Sequence, residues 1–405
     1  MKKESKEISS KLIYYLSLIG FFAIFSTTIS KNPVLPLYTK ALGGTDFILG
    51  LISAFSPLAG ILFSFPIGLL SDKIGRKKLL VISGIIFVLA PIFYLSVSNP
   101  LWLIPIRFFH GIATAILGPV VSAIIVKIYS RNKGEKLGIY SSSTLIGRTL
   151  APLLGGFIIS YFANPGIAIV SYKLVYIAAF ILALPVFFLI LFIKEKKNPK
   201  KKNKKVELKD FYIDLKYFFS NKKLFSTAIV EMATYFAYGS FETYLPVYLT
   251  NFNIPAYQIG LIFSVQILSI ALSKPLFGKI SDKIDKRKQI IAGILILGIA
   301  IGLIGFFQTI LGAVILGILF GLGLSFSTIA TSTYTAEITK EDKLGSSLGS
   351  LSSIMDIGQS IGPFITGIII TYFSFKTGFI LSLLVAIISV LIFTKYNYKR
   401  FQNKK

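Results

Sequence analysis

The chain has no cysteine and a single histidine, His110. The first absence excludes disulfides and thiolate chemistry, and the second excludes a histidine cluster, so no metal site and no cofactor is expected. No phosphate-cradling loop of the G-x-x-x-x-G-K type is present and no triad can be assembled, which disfavours both an enzyme and ATP-driven pumping. Acid is scarce as well: 17 Asp and Glu stand against 43 Lys and Arg.

What the chain has in abundance is apolar length. Hydrophobic residues make up 54% of the 405, in runs of about 20 or more, the length that spans a bilayer as helix. The net charge of +26 would suggest nucleic acid in a soluble protein, but here the charges fall between the runs. Lys31, Lys40, Lys173 and Lys376 lie on one side, and Arg107, Arg148 and Lys274 lie inside spans. All other Lys and Arg fall on the second side, which the positive-inside rule makes cytoplasmic, with both termini there. The expected surroundings are therefore a lipid bilayer and a cell membrane, with no nucleic acid. The basic start MKKESKEISSK leads into an apolar stretch too long for a signal sequence, so it reads as a retained first helix.

A basic connector, Gly68 to Leu80 (GLLSDKIGRKKLL), recurs as Gly278 to Ile290 (GKISDKIDKRKQI) at an offset of 210. Leu35-Pro36-Leu37-Tyr38 and Leu245-Pro246-Val247-Tyr248 keep the same offset, as do Gly50-Leu51-Ile52 and Gly260-Leu261-Ile262. Gly138, Gly147, Pro152 and Gly156 answer to Gly349, Gly358, Pro363 and Gly367 at 211, a one-residue slip that a loop absorbs. The repeat unit is thus half the protein.

The pattern predicts an all-α integral membrane protein of twelve transmembrane helices. Helix 1 runs from about Leu12 into Asn32-Pro33-Val34-Leu35-Pro36, whose prolines bend its end. Helices 2 to 6 occupy about 46–69, 79–97, 101–127, 137–162 and up to 193, and helices 7 to 12 about 224–250, 256–279, 288–307, 310–335, 345–371 and 377–395. An N-terminal six-helix bundle (1–193) and a C-terminal one (224–405) flank a basic linker (194–223). With an even number of spans in each half, the repeats are parallel. Within the linker Leu208, Phe211, Leu215 and Phe218 have helical spacing, which fits either an amphipathic helix on the inner leaflet or a solvated loop.

These residues resemble the major facilitator superfamily over nearly the whole chain. Gly68-x-Leu70-Ser71-Asp72-Lys73-Ile74-Gly75-Arg76-Lys77 is similar to its signature between helices 2 and 3. The second copy, with Asp282, departs at Asp285, where the signature has glycine. The resemblance implies that Asp72 latches onto helix 11 and favours the outward-open state, with Arg76 one turn on holding its carboxylate; the alternative is that these charges only fix topology. Leu103-x-x-x-Arg107-Phe108-Phe109-His110-Gly111 resembles the helix 4 motif, with His110 where glutamine is usual. An arginine inside a span faces a cavity, faces a counter-charge or snorkels outward.

In helix 5, Gly147, Ala151, Pro152, Gly155 and Gly156 resemble the antiporter motif, with Ala151 replacing a glycine. Small residues at intervals of four let a partner helix approach closely. Arg148, inside this strip, needs an acid or a cavity.

Helix 7 carries Glu231, Tyr235, Tyr238 and Glu242 at spacings of 4, 3 and 4, which puts all four on one face. Buried carboxylates are costly and mark a pathway, a basic partner or a bound proton. Asp356 in helix 11 is a third such acid, a candidate partner for a membrane arginine. The resemblance implies a secondary transporter that exports a small organic solute, amphipathic or cationic, in exchange for protons. Tyrosines beside acids suit a cation. An importer of a sugar or other nutrient is the alternative, and a non-transporting binding or signalling protein the alternative from another class. A monomer is expected.

Overall fold

A computed structural model describes residues 2–129, 132–163, 168–193 and 216–398, and for residues 2–11, 65, 68–73, 168 and 342 it describes the backbone alone. Every regular element among the described residues is helical. The first half contains α1 (Lys2–Ile29), α2 (Val34–Ala41), α3 (Asp46–Ile74), α4 (Arg76–Leu95), α5 (Leu103–Ile128), α6 (Lys133–Tyr161) and α7 (Ala168–Leu191). The second contains α8 (Lys222–Thr250), α9 (Ala256–Ser281), α10 (Lys286–Ile304), α11 (Ile310–Ile338), α12 (Leu344–Tyr372) and α13 (Phe375–Asn397). Helix satisfies every backbone polar group within its own segment, which a bilayer demands.

Among the described residues eleven helices are long and apolar enough to cross a membrane, with α1 and α2 together forming one span, Leu12–Ala41. The twelfth span is α8. Its two glutamates and its hydroxyl-bearing residues lower its hydropathy, yet 22 of its 29 residues are buried. A helix enclosed by others need not be apolar all round.

Element boundaries repeat the sequence register. α3 and α9 begin at Asp46 and Ala256, and α4 and α10 at Arg76 and Lys286, an offset of 210. α6 and α12 share both bounds at 211, Lys133–Tyr161 and Leu344–Tyr372. Packing repeats too: α1 on α6 and α7 matches α8 on α12 and α13, and α4 on α5 and α7 matches α10 on α11 and α13. Even single bonds recur. Tyr38 donates to Val97 O at 3.2 Å, and its counterpart Tyr248 donates to Phe307 O at 3.3 Å.

The halves diverge where their sequences do. The first span breaks between Ile29 and Val34, at Pro33, whereas Thr243 holds the equivalent place and α8 continues. Proline lacks the N–H that a helix interior requires. Pro246, like its counterpart Pro36, stays inside a helix.

The connectors differ in the same way. Gly75 has φ 98°, in the left-handed region, and hands the chain to α4. Asp285, its counterpart, has φ −63° and instead caps α10, accepting from Arg287 N at 2.9 Å. Gly75→Ala is expected to cost about 1–2 kcal/mol, the penalty of a Cβ in that region, read as a lower thermal midpoint.

The Asp285 carboxylate also pairs with the Arg287 guanidinium at 2.7 Å, and these hydrogen bonds hold its pKa below the ordinary range. A depressed carboxyl stabilises the fold above its unfolded pKa and loses that contribution as pH falls through the folded value. Asp285→Asn should therefore lower the midpoint modestly at neutral pH and flatten its decline under acid, as thermal scans across pH would record.

Chain packing forms two units. One is Met1–Gly44, Phe55–Lys202 and Ile254–Ser264; the other is Thr45–Ala54, Asn203–Asn253 and Val265–Lys405. The first turns of α3 thus pack with the second half, and those of α9 with the first. The core of the first unit gathers Leu16, Phe87, Leu117, Val121 and Ile190. In the second unit one core cluster joins Val230, Ile294, Tyr334 and Phe393. Most of the linker lies outside the described residues, including Leu208, Phe211 and Leu215 of its expected amphipathic stretch. Phe218 is described: it is fully buried against Leu224, Ala228 and Ile354, which docks the entry of α8. Asn221 caps that entry, accepting from Lys223 N at 3.0 Å.

Candidate functional site

α8 holds the most polar interior of the second unit. At about 100° per residue its four singled-out side chains lie within roughly 60° of arc. Glu231 and Glu242 are each 5% exposed, and Tyr238 is buried. Glu231 accepts a hydrogen bond from Thr331 Oγ1 of α11 at 2.6 Å and feels the positive charge of Lys274 on α9. Among the described residues it makes no salt bridge. Glu242 accepts from Gln359 Nε2 of α12 at 3.3 Å. Between the two acids the Tyr235 and Tyr238 rings meet edge to face at 5.9 Å, and Tyr238 stacks towards Phe320 of α11 at 6.4 Å.

The helix is fixed in place by neutral polar contacts. Thr234 and Ser327 hydroxyls lie 3.3 Å apart, and those of Ser240 and Thr366 lie 2.8 Å apart. Such contacts hold neighbouring helices in register without adding charge. Among the buried side chains of α8 they leave Glu231 and Glu242 as the two carboxyls. A carboxyl so placed, with a single hydroxyl donor, can hold a proton or face a cation, but an uncompensated charge there is costly. Thr331 and Gln359 were not singled out from the sequence. Their signal was present, since an amide or hydroxyl within an apolar span needs a partner, but which acid each one serves is set by packing.

Asp356 on α12 is half-buried and makes no ion pair among the described residues. Arg148 on α6 is exposed and likewise makes none. Arg107 and His110 belong to the other unit, 3% and 1% exposed, one turn apart on α5 and facing aromatic rings of α4. The side chain of Asp72 in the connector, with Gly68 before it, is outside the described set. Arg76 donates to Ala123 O at 2.9 Å and Lys77 to Leu191 O at 2.9 Å, so both bind carbonyls near the ends of α5 and α7, where cations are favoured. Asp282 is exposed.

The helix 5 strip has two partners. Gly147 lies against α1, where a Cβ would stand 2.6 Å from Phe21 O, and Gly155 faces Ile29 and Val34. Ala151 is fully buried. Its counterpart Gly362 touches the α8 backbone so closely that a Cβ would overlap Phe236 O. Gly156 and Pro152 meet the first turns of α9 within the first unit. A Cβ on Gly156 would overlap Ala256 O, and one on Gly260 would overlap Pro152 O. The second unit repeats this with Gly50 on Pro363 and Gly367 on Asp46 O, where the Tyr244 hydroxyl also donates to Pro363 O at 2.7 Å.

Two parallel six-span repeats with this connector between the second and third spans of each half match the Major Facilitator Superfamily over residues 16–257 and 227–404. The chain belongs to the major facilitator superfamily. It is similar to an uncharacterized MFS-type transporter of Methanocaldococcus jannaschii, 28% identical over 89% of this chain and 92% of that one. It is also similar to the multi-drug resistance efflux pump PmrA homolog of Lactococcus lactis, 25% identical over 99% and 98%. Among solved structures, the nucleoside transporter NupG superposes with TM-score 0.78 at 14% identity, over 96% of this chain and 99% of that one; this likeness concerns the fold alone. This facilitator is therefore a multi-pass membrane transporter.

Proposed function

We propose that this transporter exports a small organic solute, cationic or amphipathic, in exchange for protons, with Glu231 as the coupling carboxylate. The observation that carries the reading is Glu231 itself: a carboxyl 5% exposed, bonded to one neutral hydroxyl and lacking a salt bridge among the described residues. A cation and a proton compete for such a group, because either one relieves its buried charge. Tyr235 and Tyr238 beside it offer ring faces for a cation. Glu242 lies eleven residues further along α8, about 16 Å by the helical rise, and serves the other part of the path. The efflux-pump relatives support export, and the distribution of Lys and Arg supports cytoplasmic termini.

The exchange proceeds by alternating access, so the glycine contacts of α6 on α9 and of α12 on α3 must open and close in each cycle. Uptake into inverted membrane vesicles under an imposed pH gradient, across a panel of lipophilic cations and neutral nutrients, tests the reading. Accumulation of cations driven by an acidic interior is expected. Accumulation of a sugar or other nutrient in right-side-out vesicles alone would replace export with import.

A further inference from the structure

Arg107 is a buried guanidinium in a half whose spans contain no acid away from their ends. The only acids among residues 8–134 are Asp46 and Asp72, at the two ends of α3. Arg107 makes no ion pair among the described residues, and its Nε has no hydrogen-bond partner. Around it stand His110, Tyr94 of α4 and Tyr176 of α7, each within its electrostatic reach and each at most 1% exposed. Both ring nitrogens of His110 and the hydroxyl of Tyr176 are also buried without hydrogen-bond partners, and the Tyr94 hydroxyl is within hydrogen-bond influence of the Arg107 guanidinium.

The surrounding rings fix these groups. Tyr94 and Tyr176 stack at 4.5 Å, Phe87 meets His110 edge-on at 5.9 Å, and Tyr38 packs on Tyr176 at 5.5 Å. Tyr38 directs its own O–H to the Tyr94 and Val97 carbonyls, each at 3.2 Å.

Donors therefore exceed acceptors. Arg107 contributes guanidinium N–H groups, a neutral His110 one N–H, and each tyrosine one O–H, against one imidazole nitrogen and two weakly accepting phenol oxygens. Buried polar groups are nearly always satisfied, and a buried charge requires a counter-charge. Water would satisfy some donors but would leave the positive charge uncompensated.

We propose that Arg107, His110, Tyr94 and Tyr176 form a binding site for one small monovalent inorganic anion of chloride size, held inside the first unit. The near-complete burial of all four residues restricts the ligand to a few atoms, which excludes a carboxylate-bearing organic substrate. The anion neutralises Arg107 and fixes α5 against α4 and α7. This proposal is independent of the coupling role of Glu231.

The test uses the purified full-length protein. Thermal midpoints are compared in sodium chloride, bromide and gluconate at equal ionic strength, and bromide-grown crystals are measured at the bromine absorption edge. A saturable midpoint rise of about 1–2 °C with either halide is expected, the shift that roughly 1 kcal/mol of ligand binding gives a chain of this length. The anomalous peak should lie within hydrogen-bond distance of the Arg107 guanidinium. Tyr176→Phe, which keeps the ring and removes one donor, should raise the halide concentration needed about tenfold, and Arg107→Gln should abolish the dependence. Equal midpoints in all three salts, together with no bromine peak at Arg107, would overturn the site and leave the cluster to ordered water. Because the wild-type measurements need no variant, misfolding of Arg107→Gln would not rescue the proposal.

Discussion

Replacing Glu231 with Gln is expected to abolish gradient-driven transport while leaving the solute bound. The amide keeps the shape of the side chain and still accepts from Thr331 Oγ1, so stability should change by no more than about 1 kcal/mol, the net worth of one hydrogen bond. What it loses is the ability to exchange a proton for a cation. Solute should then equilibrate passively or remain bound, and its affinity should no longer vary with pH. Thr331→Val gives a milder version: the carboxyl remains but loses its single hydroxyl donor, so transport persists with a displaced pH profile. Vesicle uptake and equilibrium binding, measured on the same preparations, separate the two effects. A Glu231→Gln variant that still concentrates solute would move coupling to another acid, with Asp356 next to be examined.

Gly156→Val and Gly260→Val should each reduce transport at least tenfold for a different reason. A side chain at either position meets a backbone carbonyl of the opposing helix, Ala256 O or Pro152 O, and backbone cannot rotate aside as a side chain can. Overpacking of this kind costs about 1–3 kcal/mol, here applied to one conformation: the one in which α6 and α9 touch. The variant should fold but populate that contact less. Because the native chain has no cysteine, one introduced thiol can report on this. Ser160 accepts from Tyr257 N at 3.0 Å across the same contact, so Ser160→Cys should react faster with a maleimide when Gly156 is Val. Unchanged labelling with normal transport would show that these close approaches are static packing.

The repeat was legible in the sequence down to its one-residue slip, because a loop insertion displaces a register without erasing it. α6 and α12 carry that slip in both their bounds. The acid stripe of α8 was legible for the opposite reason: carboxyls are so rare in apolar spans that two of them at helical spacing define a face. Less was visible wherever position depends on a second helix. Thr331 and Gln359 are ordinary polar residues until α11 and α12 bring them to the acids. Prolines at 33 and 36 both predicted a bend, and only the first sits at a break. The partners of Gly156 and Gly260 were hidden because a small residue announces a close approach without naming what approaches. Arg107 posed the same difficulty, since the tyrosines that enclose it come from α4 and α7.

Proton release on solute binding tests the central claim most directly. Purified protein in weakly buffered detergent solution, with a pH-sensitive dye, is titrated with a lipophilic cation such as tetraphenylphosphonium at a pH where the site is protonated. If the cation displaces the proton of Glu231, wild type should acidify the solution in proportion to the cation bound, and Glu231→Gln should bind it without releasing protons. Equal release from both proteins would contradict the account.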